Sequence, residues 1–143
     1  ALKMFEERPF LGWGPGTYQF QYAPFQLSRD RTIISSNFGD MGNAHSEYLG
    51  PLCESGFLGF LFFTLMVIVI IFSAINMYYD SDNEEHRVWL LAIITSLLSY
   101  FIHGLFNNFL DTDKASIAVW GVVAIIVALD LANSKNKFVD YKI

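Results

Sequence analysis

The sequence predicts an all-α polytopic membrane protein, with three transmembrane helices preceded by a segment that lies outside the bilayer. Two observations predict it. At 53% hydrophobic, 17% aromatic and 16% charged residues, a chain of 143 residues is too apolar for an ordinary soluble domain, and the excess must face lipid or a partner. The apolar residues are also bunched. Residues 57–75 carry no charge and hold Thr64 and Ser73 as their polar members, a run long enough to cross a bilayer by itself.

The elements follow in chain order. An outer segment, 1–56, leads into a first span at 57–79. A polar loop, 80–88, precedes a second span at 89–110. A short polar turn, 111–114, precedes a third span at 115–132, and the tail is 133–143. The chain opens on Ala1 with no signal-peptide pattern, which reads as a fragment of a longer protein. Three helices leave little room to enclose a polar site in lipid, so upstream helices of the same parent chain are expected partners, together with membrane lipids. Cys53, the one cysteine, excludes an internal disulfide. The net charge of −5 argues against nucleic acid as a partner.

Orientation follows from Lys and Arg close to the spans. Arg87 in the 80–88 loop and Lys135, Lys137 and Lys142 in the tail collect on one side, which is therefore the cytoplasmic one. Segment 1–56 and the 111–114 turn then face the periplasm or cell exterior, where Lys114 is the nearby basic residue.

Within the outer segment, 1–8 reads as the end of a helix stopped at Pro9. Gly12, Gly14 and Gly16 mark a turn that uses positive φ. Tyr18, Phe20 and Tyr22 alternate with polar residues, which suits a short strand or an extended piece at the headgroup level; an aromatic belt is the plain reading and a ligand-stacking platform the sharper one. Arg29 and Arg31 bracket Asp30 in a polar loop, where a solvated surface competes with an anion clamp for a pyrophosphate.

The stretch 43–59 is the most informative. Asn43 is placed to cap a helix whose first turn holds His45, Ser46 and Glu47. Pro51 is expected to kink or break that helix, and Gly56 and Gly59 admit a close approach by another segment. A histidine on such a segment is by itself more often structural than catalytic. Its neighbours shift that balance, because Ser96, Tyr100, His103, Asn107 and Asp111 form one polar stripe on a helical second span, and with Asn108 and Asp113 the stripe brings its outer end to the same face. Helix–helix hydrogen bonding and a substrate cavity are both consistent with such a stripe.

These residues resemble the O-antigen ligase family. Its signature is a periplasmic His followed by Asn, Ser or Gln, nine residues, Gly, two residues, and Gly, Thr or Tyr; His45, Ser46, Gly56 and Gly59 meet every fixed position. The run 9–16 resembles the family's Pro-x-x-Gly-x-Gly-x-Gly loop, and Glu54-Ser55-Gly56 its Glu-x-Gly. The family's arginines on earlier helices have no counterpart in this sequence, and Arg29 and Arg31 do not clearly match them.

The resemblance implies a piece of a larger multi-span GT-C-like bundle in the bacterial inner membrane. It implies transfer of a glycan from an undecaprenyl-pyrophosphate carrier to an acceptor hydroxyl, that of the lipid A core or another glycan acceptor. His45 would be the general base or orienter of the acceptor. Ser46, Glu47, Glu54, Arg29, Arg31, His103 and Asn107 are the candidate substrate-binding residues. No acidic cluster shows metal-ligand spacing, so metal-independent chemistry without a cofactor is expected. A polymerase of the same family, and a non-enzymatic transport or scaffolding module built on the His103 stripe, are the alternatives. The chain alone is expected to be inactive, its site being shared with upstream helices.

Overall fold

The computed structural model describes residues 1–33, 35–39 and 42–140 and, within them, every side chain except those of 113 and 133–140. Every regular element among the described residues is helical: α1 (Leu2–Glu7), α2 (Tyr18–Gln21), α3 (Leu49–Glu54), α4 (Gly56–Asp80), α5 (Glu84–His103) and α6 (Asp113–Asp140). Short 3-10 turns lie at Ala23–Phe25, Ser28–Asp30 and Phe109–Asp111. The chain divides into two compact units, one of Ala1–Leu65 with His103–Phe109 and the other of Met66–Ile102 with Leu110–Ile143.

In the first unit, α1 stops at Glu7 because the residue before a proline is driven out of the helical region, and Arg8 takes φ −136° and ψ 69°. Both α1 and α2 pack on α3. Their shared core is Met4, Tyr22 and Cys53, ringed by Ala1, Trp13, Tyr18 and Phe25. The expected strand over Tyr18, Phe20 and Tyr22 is a helix instead. Residues 18 and 22 are one helical turn apart, so their rings stack at 5.5 Å with planes 10° apart, while Phe20 stays exposed. A spacing of two fits a strand and a spacing of four fits a helix; the core contributed by Met4 and Cys53 selects the second.

In the second unit the buried side chains fall on helical stripes. They are Val67, Ile70, Ala74 and Met77 on α4, Leu90, Ile94, Leu97 and Phe101 on α5, and Val119 and Ile126 on α6. At the turn between α4 and α5, the Arg87 guanidinium lies 4.8 Å from the Tyr78 ring centre and donates to the Tyr78 hydroxyl at 3.2 Å.

Three helical stretches, Gly56–Asp80, Glu84–His103 and Lys114–Ala132, are long and apolar enough to cross a membrane. Their most apolar portions are only 17%, 22% and 11% buried, so most of that surface is available to lipid or to further helices. α5 ends at His103, short of the expected end at 110. Gly104 follows directly, and a glycine after the last periodic residue is a helix stop. Asn107 and Asp111 therefore lie off the helix, Asp111 in a 3-10 turn, and the expected five-residue helical stripe is interrupted after His103. The connection to α6 is correspondingly longer than 111–114. The side chains of Asp113, Lys135 and Lys137, and all of Lys142, lie outside the described residues.

Candidate functional site

The Gly-rich loop and the end of α3 are built as one interlocking piece. A helix leaves its last carbonyls without intrahelical partners. Here the loop supplies them: the Trp13 N–H donates to Cys53 O at 3.0 Å and the Gly14 N–H to Glu54 O at 2.7 Å. Gly12, at φ +65°, lies so close to the Cys53 and Glu54 backbone that a Cβ would overlap it. The return contact is equally tight. Gly56, at φ +67°, has the Phe10 and Leu11 backbone where a Cβ would stand, and the Phe57 N–H donates to Pro9 O at 2.7 Å. The glycines of the two motifs are thus reciprocal, each removing the side chain that would keep the other segment away. Gly59 is similarly placed against Ser55. All three loop glycines adopt positive φ, as expected for 12, 14 and 16.

Glu54 completes this clasp. Its Oε2 accepts from the Gly16 N–H at 2.8 Å and its Oε1 from the Tyr18 N–H at 2.9 Å. Both oxygens accept from the loop backbone, which makes Glu54 part of the scaffold that joins the loop to α3. Around it, burial pushes the Cys53 thiol pKa up, and Tyr18 is pushed up to about 12, chiefly by burial and secondarily by Cys53 and Tyr22. The Cys53 thiol donates to Ala1 O at 3.2 Å, and the Trp13 indole donates to Met4 O at 2.9 Å beneath the Arg8 guanidinium, 4.2 Å above the ring.

The His motif is a turn, not the first turn of a helix. Asn43 Oδ1 accepts from the His45 N–H at 2.9 Å, a local side-chain turn, and α3 begins only at Leu49. The N-cap of α3 is Tyr48, not Asn43, and the Ser46 hydroxyl just ahead of it accepts from the Tyr48 and Leu49 N–H groups at 3.3 Å each. Pro51 does not break the helix. It sits in the first turn of α3, where a missing N–H costs least, and the break comes at Gly56.

His45 has φ +48°, the one positive φ on a non-glycine residue among those described. Such a conformation costs about 1–2 kcal/mol and persists where flanking structure imposes it. That structure is plain: Ser46 and Glu47 are 3% and 6% exposed while His45 is exposed. The Glu47 N–H donates to Gly104 O at 2.8 Å and to Asn107 O at 3.2 Å, which latches the motif onto the turn after α5. Burial, and then the Glu47 charge, raise the Tyr48 pKa, and the Tyr48 ring meets Phe63 edge-on at 5.5 Å.

The latch joins the 45–47 turn to the 104–107 turn through backbone hydrogen bonds. His103 and Asn107 share a contact of 3.1 Å between His103 Nε2 and Asn107 Nδ2, and the His103 ring stacks on Phe109 at 5.6 Å. Phe109 is the participant that sequence reasoning did not include, and nothing local marks it. Arg29 and Arg31 are both exposed, with Arg29 3.5 Å from its neighbour Asp30.

Neither curated proteins nor solved structures give a match to this chain. Residues 1–64 match the family model described as O-Antigen ligase, a family of membrane glycosyltransferases of ligase and polymerase type. The matched segment, less than half of the 143 residues, holds the glycine clasp, the His45 turn and the start of α4, and it is over this segment that the chain is similar to that family.

Proposed function

We propose that this chain is part of a membrane glycosyltransferase that moves a glycan from an undecaprenyl-pyrophosphate carrier to an acceptor hydroxyl, the lipid A core in a ligase or a growing glycan in a polymerase. The observation that carries the reading is the presentation of His45: an exposed imidazole on a backbone held in a left-handed conformation between buried neighbours. A fixed imidazole can accept the acceptor's proton as the oxygen attacks the glycosyl carbon and the pyrophosphate departs. Ser46 and Glu47 set that turn. His103 and Asn107 supply hydrogen-bonding groups on the turn that Glu47 grips, and are placed to meet donor or acceptor sugar. Arg29 and Arg31, exposed in the polar loop, are the candidate cations of this chain for the pyrophosphate. The protein sits in the bacterial inner membrane, with 1–56 in the periplasm and Arg87 and the basic tail in the cytoplasm.

The test compares the full-length protein with His45→Ala and His45→Asn in cells lacking the endogenous gene, at equal membrane abundance. Asparagine tolerates the left-handed region, so it keeps the turn while removing the base. Both variants are expected to lose product by about 10²–10⁴-fold, the usual worth of a general base, with donor accumulating. Unchanged product in His45→Asn would remove His45 from the chemistry.

A further inference from the structure

We propose that Phe10 and Leu11 form a lipid-inserting wedge that seats the glycine clasp on the bilayer surface. Both side chains are open, 73% and 76% exposed. Their backbone is nonetheless fixed, packed against Gly56 and joined through Pro9 O to the Phe57 N–H. An apolar pair that is exposed on a pinned backbone has not been left open by looseness of the loop.

Its position along α4 identifies what covers it. α4 has 25 residues and rises about 37 Å, somewhat more than the roughly 30 Å of a hydrocarbon core. Its far end carries Tyr78, Tyr79 and Asp80, residues that favour the headgroup region and water. With those at one interface, the stretch from Phe57 to Met77 rises about 31 Å and fills the core, so Phe57 stands at the opposite margin. The 9–11 loop is hydrogen-bonded to Phe57 and therefore lies at that margin too. Phe57 and Leu58 are themselves 47% and 43% exposed, which extends the apolar surface from the loop into the first turn of α4. Arg8, exposed and stacked on Trp13, adds a cation and an indole immediately beside the pair, the combination that suits lipid phosphates and the interfacial zone. The wedge faces the acyl chains and headgroups of one leaflet, and it sets the height of the α3–α4 junction relative to the membrane.

The experiment places a nitroxide at Phe10→Cys, at Leu11→Cys and, for comparison, at Phe38→Cys in the full-length protein reconstituted in phosphatidylethanolamine–phosphatidylglycerol nanodiscs. Cys53 is buried, with its thiol pKa raised, so the unsubstituted protein serves as the labelling blank. Collision rates are read with oxygen, which concentrates in hydrocarbon, and with a neutral nickel chelate, which stays in water. The expected result is oxygen exceeding nickel several-fold at 10 and 11, and the reverse at the 91% exposed position 38. Nickel exceeding oxygen at 10 and 11 would overturn the proposal in favour of a water-facing loop. Low collision rates with both reagents would overturn it in favour of a protein cover.

Discussion

A carboxylate that accepts two backbone N–H groups from a segment far away in sequence behaves as a structural strut, and Glu54 is such a residue. Gly16 and Tyr18 lie 38 and 36 positions from it, and both donate to it within 2.9 Å. Hydrogen bonds to a charged acceptor contribute about 1.5–3 kcal/mol. Glu54→Gln keeps one acceptor oxygen and is expected to destabilise the 1–56 segment by roughly that amount, with Glu54→Ala costing more. The measurement is limited proteolysis of the loop in the full-length protein, compared with glycan transfer. A variant that is resistant to protease yet inactive would give Glu54 a part in the reaction beside its structural one. Gly12 and Gly56 complement this strut, because no side chain fits between the segments it joins.

At the scale of elements, α2 is the piece whose conformation the tertiary core selects, and its Tyr18 reports on that core. The Tyr18 pKa is pushed up to about 12 in the folded protein against 10 for a free side chain, with burial the main cause. The neutral phenol is the form the fold accepts. Its contribution is therefore complete below pH 10 and is lost as pH rises from 10 towards 12. The stability of the α1–α2–α3 cluster should fall in that window, and Tyr18→Phe should flatten the fall. Trp13 emission, with Trp89 and Trp120 replaced by Phe, follows the cluster directly. A decline that survives Tyr18→Phe would assign the sensitivity to another group.

For the whole molecule, the dominant fact is the amount of apolar surface left uncovered on three helices. Exposed Phe62, Ile68, Val69, Phe72, Trp89, Ile102, Ile117 and Leu131 have no place in water in such number. The chain should stay in the membrane fraction through an alkaline carbonate wash and require detergent for release. Recovery in the wash supernatant would rule out bilayer-spanning α4, α5 and α6.

The class of molecule was legible in the residues alone, because length and apolarity of three runs are read by the bilayer without reference to tertiary contacts. So were the stop at Pro9 and the positive-φ turn at Gly12, Gly14 and Gly16, since these rest on local backbone sterics. Tertiary structure decided the rest. Only the packing of Met4 and Cys53 made 18–21 helical, and only the loop's return onto α3 showed that Glu54 is a clasp. The His45 turn likewise depends on a partner 57 residues away, the Gly104 carbonyl that holds Glu47. A hydrogen bond between distant backbone groups leaves no periodicity or propensity in the residues that make it, and for that reason the geometry around His45 was not legible until the chain was folded.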